Sequence, residues 1–242
     1  MNYKIIIAYD GTDYQGWQMQ GERPTIQLVL TRVLTRLEGS HVTVHGAGRT
    51  DSGVHAEGQV ASFHLQKDWS GAGLRKAMNG NLPSDIRVLK AEQVTDEFHA
   101  RFSAKGKTYR YQIYNADVMN PLLARYALHY HHTIDFDKLK HDGSDLIGTH
   151  DFTVFTVVDC ETHTNIRTIT GFQIERDASL LRLYFTGEGF LRYQVRTMVE
   201  AILQLNRGKL RMPMADLIHS QRRALIQGSA PAKGLTLMRV EY

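Results

Sequence analysis

The 242-residue sequence predicts an α+β fold of two similar halves, residues 1–104 and 105–242. Strands and helices alternate with short connections in the first hundred residues, and each half combines strands, a long helix and further strands. No low-complexity tract or long linker interrupts the chain. A chain of this length buries enough surface to fold without a disulfide or a metal.

The first half begins with a predicted strand over residues 3–9, which is rich in isoleucine and ends at Asp10-Gly11. A helix is predicted over residues 25–37, because apolar residues recur on one side and Thr25 is a candidate N-cap. The other elements predicted here are β-branched runs at 42–44 and 59–65, a helix at 74–78 and a strand at 86–94.

The second half begins with a predicted strand over residues 107–115, where side chains alternate in the pattern of a half-buried strand. Residues 166–175 and 180–186 predict an antiparallel pair joined by a tight turn. The strongest helix pattern covers residues 190–205, with apolar residues at helical spacing. The chain ends in a predicted strand over residues 235–242.

Composition and charge narrow the class of protein. Lys plus Arg is 29 and Asp plus Glu is 25, which gives a formal net charge of +4 and makes a polyanionic partner plausible. A single cysteine, Cys160, excludes an internal disulfide and any site built on several thiolates. Apolar stretches are too short for a signal peptide or a membrane span. We therefore expect a soluble protein of the cytoplasm.

The densest group of chemistry-bearing residues is the segment 46–56, Gly-Ala-Gly-Arg-Thr-Asp-Ser-Gly-Val-His-Ala. Glycines on both sides of Asp51 allow tight turns and a close approach of ligand to backbone. The spacing matches neither a Walker loop nor a dinucleotide fingerprint. Two interpretations stay open at this stage: a structural turn in which Asp51 bonds its own backbone, or an active-site loop.

Two further candidates carry positive charge. Residues 101–110 interleave four basic side chains with Phe102 and Tyr109, which suits a phosphate backbone with a base stacked on a ring. The same pattern suits a solvated strand edge, where lysine discourages pairing. Arg196, in the predicted helix, is either an i,i+4 partner of Glu200 or a guanidinium that keeps a carboxylate ionised in a cleft.

The twelve histidines raise the question of a metal site. His129 and His131 would share one face of a strand, but no neighbouring carboxylate or cysteine completes a zinc site. Catalysis by a Ser-His-Asp triad lacks the Gly-x-Ser-x-Gly elbow. We therefore expect no metal.

Residues 48–56 resemble the signature of the tRNA pseudouridine synthase A family, and the resemblance extends over nearly the whole chain. The other matching segments are, in order, residues 9–18, 25–27, 81–86, 98–101, 107–111, 150–152, 167–169, 189–192 with 195–196, and 230–235. So many matches in one order make a chance likeness implausible.

The resemblance implies two α+β halves whose antiparallel sheets join around a central basic cleft. It also implies a homodimer that holds the anticodon arm of tRNA and isomerises uridines at positions 38 to 40 without a cofactor. Asp51 matches the catalytic aspartate, and Arg196 matches the basic residue that pairs with it. Tyr109 matches the tyrosine that stacks on the target base, and Arg49 an arginine that helps to hold the flipped nucleotide.

Three features depart from the family pattern. Tyr193-Gln194 stands where a histidine or a similar residue and then methionine are usual, and residues 141–145 are more polar than usual. Glu200 stands where a small residue is common. Glu200 is therefore expected to compete with Asp51 for Arg196.

The implied reaction breaks the N1–C1′ bond of uridine, rotates the uracil and rejoins it through C5, so nothing is oxidised and no cofactor is needed. Asp51 must be ionised to act, as a nucleophile on the sugar or the uracil, or as a base on the sugar. Two other functions compete with this one: a non-catalytic tRNA-binding module, and a small-molecule acid–base enzyme using Asp51 and His55. Asp51 distinguishes the enzyme from the tRNA-binding module, because a lone carboxylate repels a phosphate backbone and would hinder a protein that only binds RNA.

Overall fold

The computed structural model describes residues 1–157 and 164–242, so Cys160 lies outside the described residues. The chain forms two compact units, residues 1–105 with 236–242, and residues 106–235. The mixed α+β class is confirmed. The division into domains after residue 104 stays a prediction. The C-terminal residues 236–242 belong to the first compact unit.

Strands and helices are numbered along the chain. The described strands are β1 (Asn2–Tyr9), β2 (His45–Gly46), β3 (His55–His64), β4 (Ile86–Val94), β5 (Gly106–Tyr114), β6 (Leu128–His129), β7 (Gly148–Asp151), β8 (Ile166–Asp177), β9 (Leu180–Gly187) and β10 (Leu235–Glu241). The described α-helices are α1 (Ile26–Glu38), α2 (Gly71–Asn81), α3 (Phe136–Ser144), α4 (Gln194–Asn206) and α5 (Met214–Ser220).

The sheet of the first unit has the strand order β4–β1–β3–β10, and β2 pairs with β3. β1 is antiparallel to both β3 and β4, whereas β10 is parallel to β3. Ile5 and Ile7 on β1 are fully buried, which accounts for the isoleucine-rich run that predicted this strand. α2 packs on β4, and α1 contacts α2.

The first helix agrees with its prediction within one residue at each end. The side chain of Thr25 caps α1 by accepting a hydrogen bond from the Leu28 N–H at 3.3 Å. Gly39 ends the helix in the left-handed conformation, φ 88°, and its N–H donates to the Thr35 carbonyl at 2.9 Å. The β-branched run at 42–44 forms no strand, and its two valines are buried in the core just before β2 begins.

The sheet of the second unit has the order β5–β9–β8–β7, with β6 beside β5. The predicted hairpin is confirmed as β8 and β9, and its turn contains Ala178 at a φ of 50°. α4 packs on α3 and on β5. The polar residues at 141–144 continue α3, where buried Asp142 lies 3.1 Å from the Lys138 ammonium.

The long helix of the second unit starts four residues later than its predicted start at residue 190. Tyr193 is in the left-handed conformation, φ 63°, and precedes the first residue of α4. Buried Gln194 closes the turn, because its side-chain oxygen accepts the Leu191 N–H at 2.7 Å. Arg192 therefore lies outside the helix, although the helical spacing of apolar residues extends back to residue 190 in the sequence.

His129 lies in the two-residue β6, and its ring is 6.3 Å from that of His131. In the described part of the chain, no three His, Cys, Asp or Glu side chains are grouped so as to hold a metal ion. No helix in those same residues is long and apolar enough to cross a membrane.

Candidate active site

Asp51 lies on the loop between β2 and β3, in the first unit. Its side chain is half-buried, while Arg49 and Ser52 beside it are exposed. The loop turns sharply here: the Val54 N–H donates to the Asp51 carbonyl at 3.1 Å, and Gly53 has a φ of 78°. Gly53 thus supplies the left-handed residue that this turn requires.

The loop that follows β1 braces the Asp51 loop by backbone contacts. The Trp17 N–H donates to the Thr50 carbonyl at 3.0 Å. The Tyr14 carbonyl accepts both the Gly53 N–H and the Ser52 hydroxyl, each at 3.2 Å. Residues on either side of Asp51 are therefore fixed by the segment 14–17.

Two glycines let these loops approach so closely. A Cβ at Gly11 would lie 1.9 Å from the Val54 carbonyl oxygen, and a Cβ at Gly16 would lie 2.4 Å from that of Thr50. Gly16 also has a φ of 80°, where side chains are disfavoured. Neither glycine was singled out from the sequence, although both fall in the matching segment 9–18.

Thr50 is also held through its side chain. Its hydroxyl oxygen lies 2.9 Å from the Tyr9 hydroxyl, a hydrogen bond in a buried environment. Burial raises the pKa of Tyr9 to about 12, so this phenol stays neutral at physiological pH. Tyr9 therefore supports the loop as a neutral hydrogen-bonding group.

The other side of the loop is attached to β3. Buried Gln59 donates from Nε2 to the Gly48 carbonyl at 2.9 Å. His55 is also buried, and its Nδ1 accepts the Gly11 N–H at 3.1 Å and lies 3.2 Å from an Asp10 carboxylate oxygen. These contacts support a structural role for His55, as a tie between β3 and the bracing loop.

In the second unit, Tyr109 lies on β5 opposite Phe185 of β9. The side chain is only 7% exposed, and its ring meets the Phe190 ring edge-on, with centroids 5.2 Å apart. This packing fixes the plane of the phenol before any ligand arrives.

Arg196, in the first turn of α4, is half-buried. Its Nε donates to the Ala230 carbonyl at 2.7 Å, and its own carbonyl accepts the Ala230 N–H at 3.1 Å. The Tyr193 ring lies 5.2 Å from the guanidinium carbon. The orientation of Arg196 is therefore set by a distant segment of the chain, which helical spacing did not indicate.

Glu200 has its own cationic neighbour. Its Oε1 accepts from Gln204 at 2.7 Å and from Arg207 at 3.3 Å. Burial raises the pKa of Tyr111 well above its usual range. The charge of Arg196 lowers this pKa and the charge of Glu200 raises it, so both charges act on the phenol. Competition between Glu200 and Asp51 for Arg196 stays a prediction.

The structure thus places the four candidate residues in two pairs. Asp51 and Arg49 share one loop of the first unit, and Tyr109 and Arg196 lie on β5 and α4 of the second. A half-buried carboxylate on a braced loop, in an α+β chain of net charge +4, is the arrangement expected of an enzyme that acts on a polyanionic substrate.

Comparison with known proteins identifies the family. The family model described as tRNA pseudouridine synthase matches residues 5–103 and 144–242, and the chain belongs to this family. A protein of Acetivibrio thermocellus named tRNA pseudouridine synthase A is 40% identical over 242 residues, covering 100% of this chain and 99% of its own length. A protein of the same name from Limosilactobacillus reuteri is 40% identical, covering 99% of this chain and 96% of its own length. One from Streptococcus mutans is 39% identical, covering 100% of this chain and 99% of its own length.

Proposed function

We propose that this chain isomerises uridine to pseudouridine at positions 38 to 40 in the anticodon stem-loop of tRNA. The observation that carries the proposal is Asp51, half-buried on a loop whose backbone is braced on both sides. In the reaction the N1–C1′ bond breaks, the uracil turns, and a C5–C1′ bond forms. C5 then loses its proton and N1 gains one, so the product is an isomer and no cofactor is required.

The role proposed for Asp51 requires its ionised form, whether it attacks the sugar or the uracil or takes a proton from the sugar. Burial raises the pKa of a carboxylate and nearby cations lower it. The bracing contacts keep the loop backbone in one position, which favours reaction because the carboxylate need not be oriented at each turnover.

Arg49 and Tyr109 are proposed to bind the substrate. Arg49 is exposed two residues before Asp51, a position from which a guanidinium can hold a phosphate of an extruded nucleotide. The target base must leave its stack at a cost of a few kcal/mol. A ring such as that of Tyr109 offsets this cost, because stacking contributes about 1–3 kcal/mol per base.

The proposal includes a homodimer, which follows from the resemblance of the chain to its family, and a cytoplasmic location, which the single cysteine supports. Size-exclusion chromatography with light scattering tests the dimer directly.

The release of tritium from tRNA carrying [5-³H]uridine in the anticodon arm tests the reaction, since C5 loses its hydrogen only if it forms the new glycosidic bond. Release by the purified protein, with no cofactor or metal added, is the expected result. Tight tRNA binding without release would instead support a binding module.

Arg196→Ala is expected to lower turnover by about 10²–10³-fold and to change tRNA affinity much less, because its proposed role is to favour the ionised catalytic carboxylate. Arg192→Ala is the matched control: this exposed arginine also lies over the Tyr193 ring, at 5.1 Å. Single-turnover tritium release and filter binding separate the two effects. Normal turnover with weak binding in Arg196→Ala would contradict the role.

We propose that the Tyr109 hydroxyl also assists the proton transfer at C5. Tyr109→Phe removes only this hydroxyl, so it is expected to keep tRNA affinity within about twofold while lowering turnover about 10²-fold. Tyr109→Leu keeps an apolar side chain in the packed site but removes the ring, so it should also weaken binding, by about 5- to 150-fold. Equal losses of affinity in both variants would show that the hydroxyl matters and that the ring does not stack.

A further inference from the structure

Three aromatic rings lie in a row on the surface of the first unit, with neighbouring ring planes tilted by 43° and 34°. The His45 and His99 centroids are 4.7 Å apart, and those of His99 and Phe102 are 4.5 Å apart. The Arg101 guanidinium carbon lies 5.7 Å from the centre of the Phe102 ring. Phe102 is 77% exposed, so the stack ends in an aromatic ring open to solvent. We call His45, His99 and Phe102 the ring stack.

The turn that carries the exposed end is held by its own hydrogen bonds. The His99 N–H donates to the Ser103 hydroxyl at 3.1 Å, and the Ser103 N–H returns to the His99 carbonyl at 2.9 Å. Nδ1 of His99 accepts the N–H groups of Arg101 and Phe102 at 3.1 and 3.4 Å. Since Nδ1 acts as an acceptor, the His99 ring is neutral in this arrangement.

The same turn is anchored to the core of the unit through Ala100, which is fully buried. Its N–H donates to the Ser62 hydroxyl at 3.0 Å, and its carbonyl accepts the Tyr242 hydroxyl at 2.7 Å. Phe102 is therefore displayed on a rigid support. A preorganised surface of this kind loses little conformational freedom on binding.

A single exposed apolar residue is ordinary in a soluble protein. The ring stack differs in that Phe102 continues a row of two other aromatic rings and has the Arg101 guanidinium over its ring, a cation that must turn toward the phosphate when a base stacks there. Its exposed apolar surface amounts to one phenyl ring, far below the roughly 1,200 Å² that a stable protein interface buries. A flat aromatic ring with an adjacent guanidinium matches the chemistry of one nucleotide, a base to stack and a phosphate to pair.

We propose that the ring stack receives an unpaired base of the RNA substrate on Phe102, with Arg101 contacting the adjoining phosphate. This inference rests on the proposed function. β2 begins at His45 and runs directly into the loop that carries Asp51, so the Cα atoms of His45 and Asp51 are at most about 22 Å apart. Phe102 can therefore receive an unpaired base of the same stem-loop other than the target uridine, which we place at Asp51.

The test uses anticodon stem-loop RNA carrying 2-aminopurine at one unpaired loop position at a time. Stacking on Phe102 is expected to change the fluorescence at one of these positions. Phe102→Ala should abolish that change and weaken RNA binding by about 5- to 150-fold. Phe102→Trp should restore both.

Leu122→Ala is the matched control, because Leu122 is an apolar side chain of similar exposure, 82%, in the second unit. Unaltered affinity and fluorescence in Phe102→Ala, with wild-type tritium release intact, would overturn the ring-stack proposal alone. A change of oligomeric state in Phe102→Ala would overturn it in favour of a second copy as the occupant. Failure of the wild type to release tritium at all would overturn the proposed function itself.

Discussion

Asp51→Asn is expected to reduce tritium release from [5-³H]uridine-labelled tRNA by about 10²–10⁴-fold, while tRNA binding is kept or slightly improved. The substitution is nearly isosteric, and it leaves unchanged the backbone groups and the Thr50 and Ser52 hydroxyls that hold residues 50–54. It removes the ionised oxygen on which each proposed mechanism depends. It also removes a negative charge that repels the RNA backbone.

The matched control for this experiment is Asp13→Asn, on the neighbouring bracing loop. Asp13 is exposed and its replacement changes the net charge of the protein by the same amount. We expect Asp13→Asn to release tritium at close to the wild-type rate, measured in single turnover with protein in excess. Equal activity of the two variants would remove Asp51 from the chemistry.

Gly16→Ala is expected to destabilise the protein by about 2–5 kcal/mol and to lower turnover in the molecules that remain folded. About 1–2 kcal/mol comes from placing alanine at a φ of 80°. A further 1–3 kcal/mol comes from forcing a methyl group to within 2.4 Å of the Thr50 carbonyl oxygen, since one loop must move. That movement shifts the residue next to Asp51.

Gly21→Ala separates these two causes. Gly21 lies in the same loop with a φ of 60°, but a Cβ there would meet no atom within 4 Å. The Gly21→Ala variant should therefore lose only the conformational part of the free energy of unfolding, about 1–2 kcal/mol, and retain turnover. Urea unfolding gives the stabilities, and tritium release below the unfolding transition gives the activities. Identical behaviour of the two variants would show that the bracing contact does not control the Asp51 loop.

Much of the fold could be predicted from local pattern. α1 follows its apolar periodicity and its Thr25 cap, and β4 coincides with its predicted range because alternation and turn residues agree there. α4 was predicted too long, since apolar spacing continues through Leu191 while the left-handed Tyr193 stops the helix. α3 and α5 lacked a sequence signal strong enough to predict them, because both are short and one is largely polar.

Part of the candidate site could be predicted from the sequence, and part of it could not. Asp51 and Arg49 stand out from the sequence, because glycines around a carboxylate are a local feature of seven or eight neighbouring residues. The bracing of that loop does not stand out, since Tyr14 and Trp17 lie more than thirty residues away in the chain. The hydrogen bond from Arg196 to Ala230 likewise joins residues 34 apart.

The sequence by itself determined the fold class, the elements with strong periodicity, the glycine-rich loop and the family, all of which depend on residue types at short spacing. Only the tertiary structure decided that Gly11 and Gly16 must lack side chains, that His55 ties β3 to the bracing loop, and that Phe102 extends two histidine rings. These are contacts between distant segments. They depend on how sheets and loops pack in three dimensions, and no local pattern of residue types contains that information.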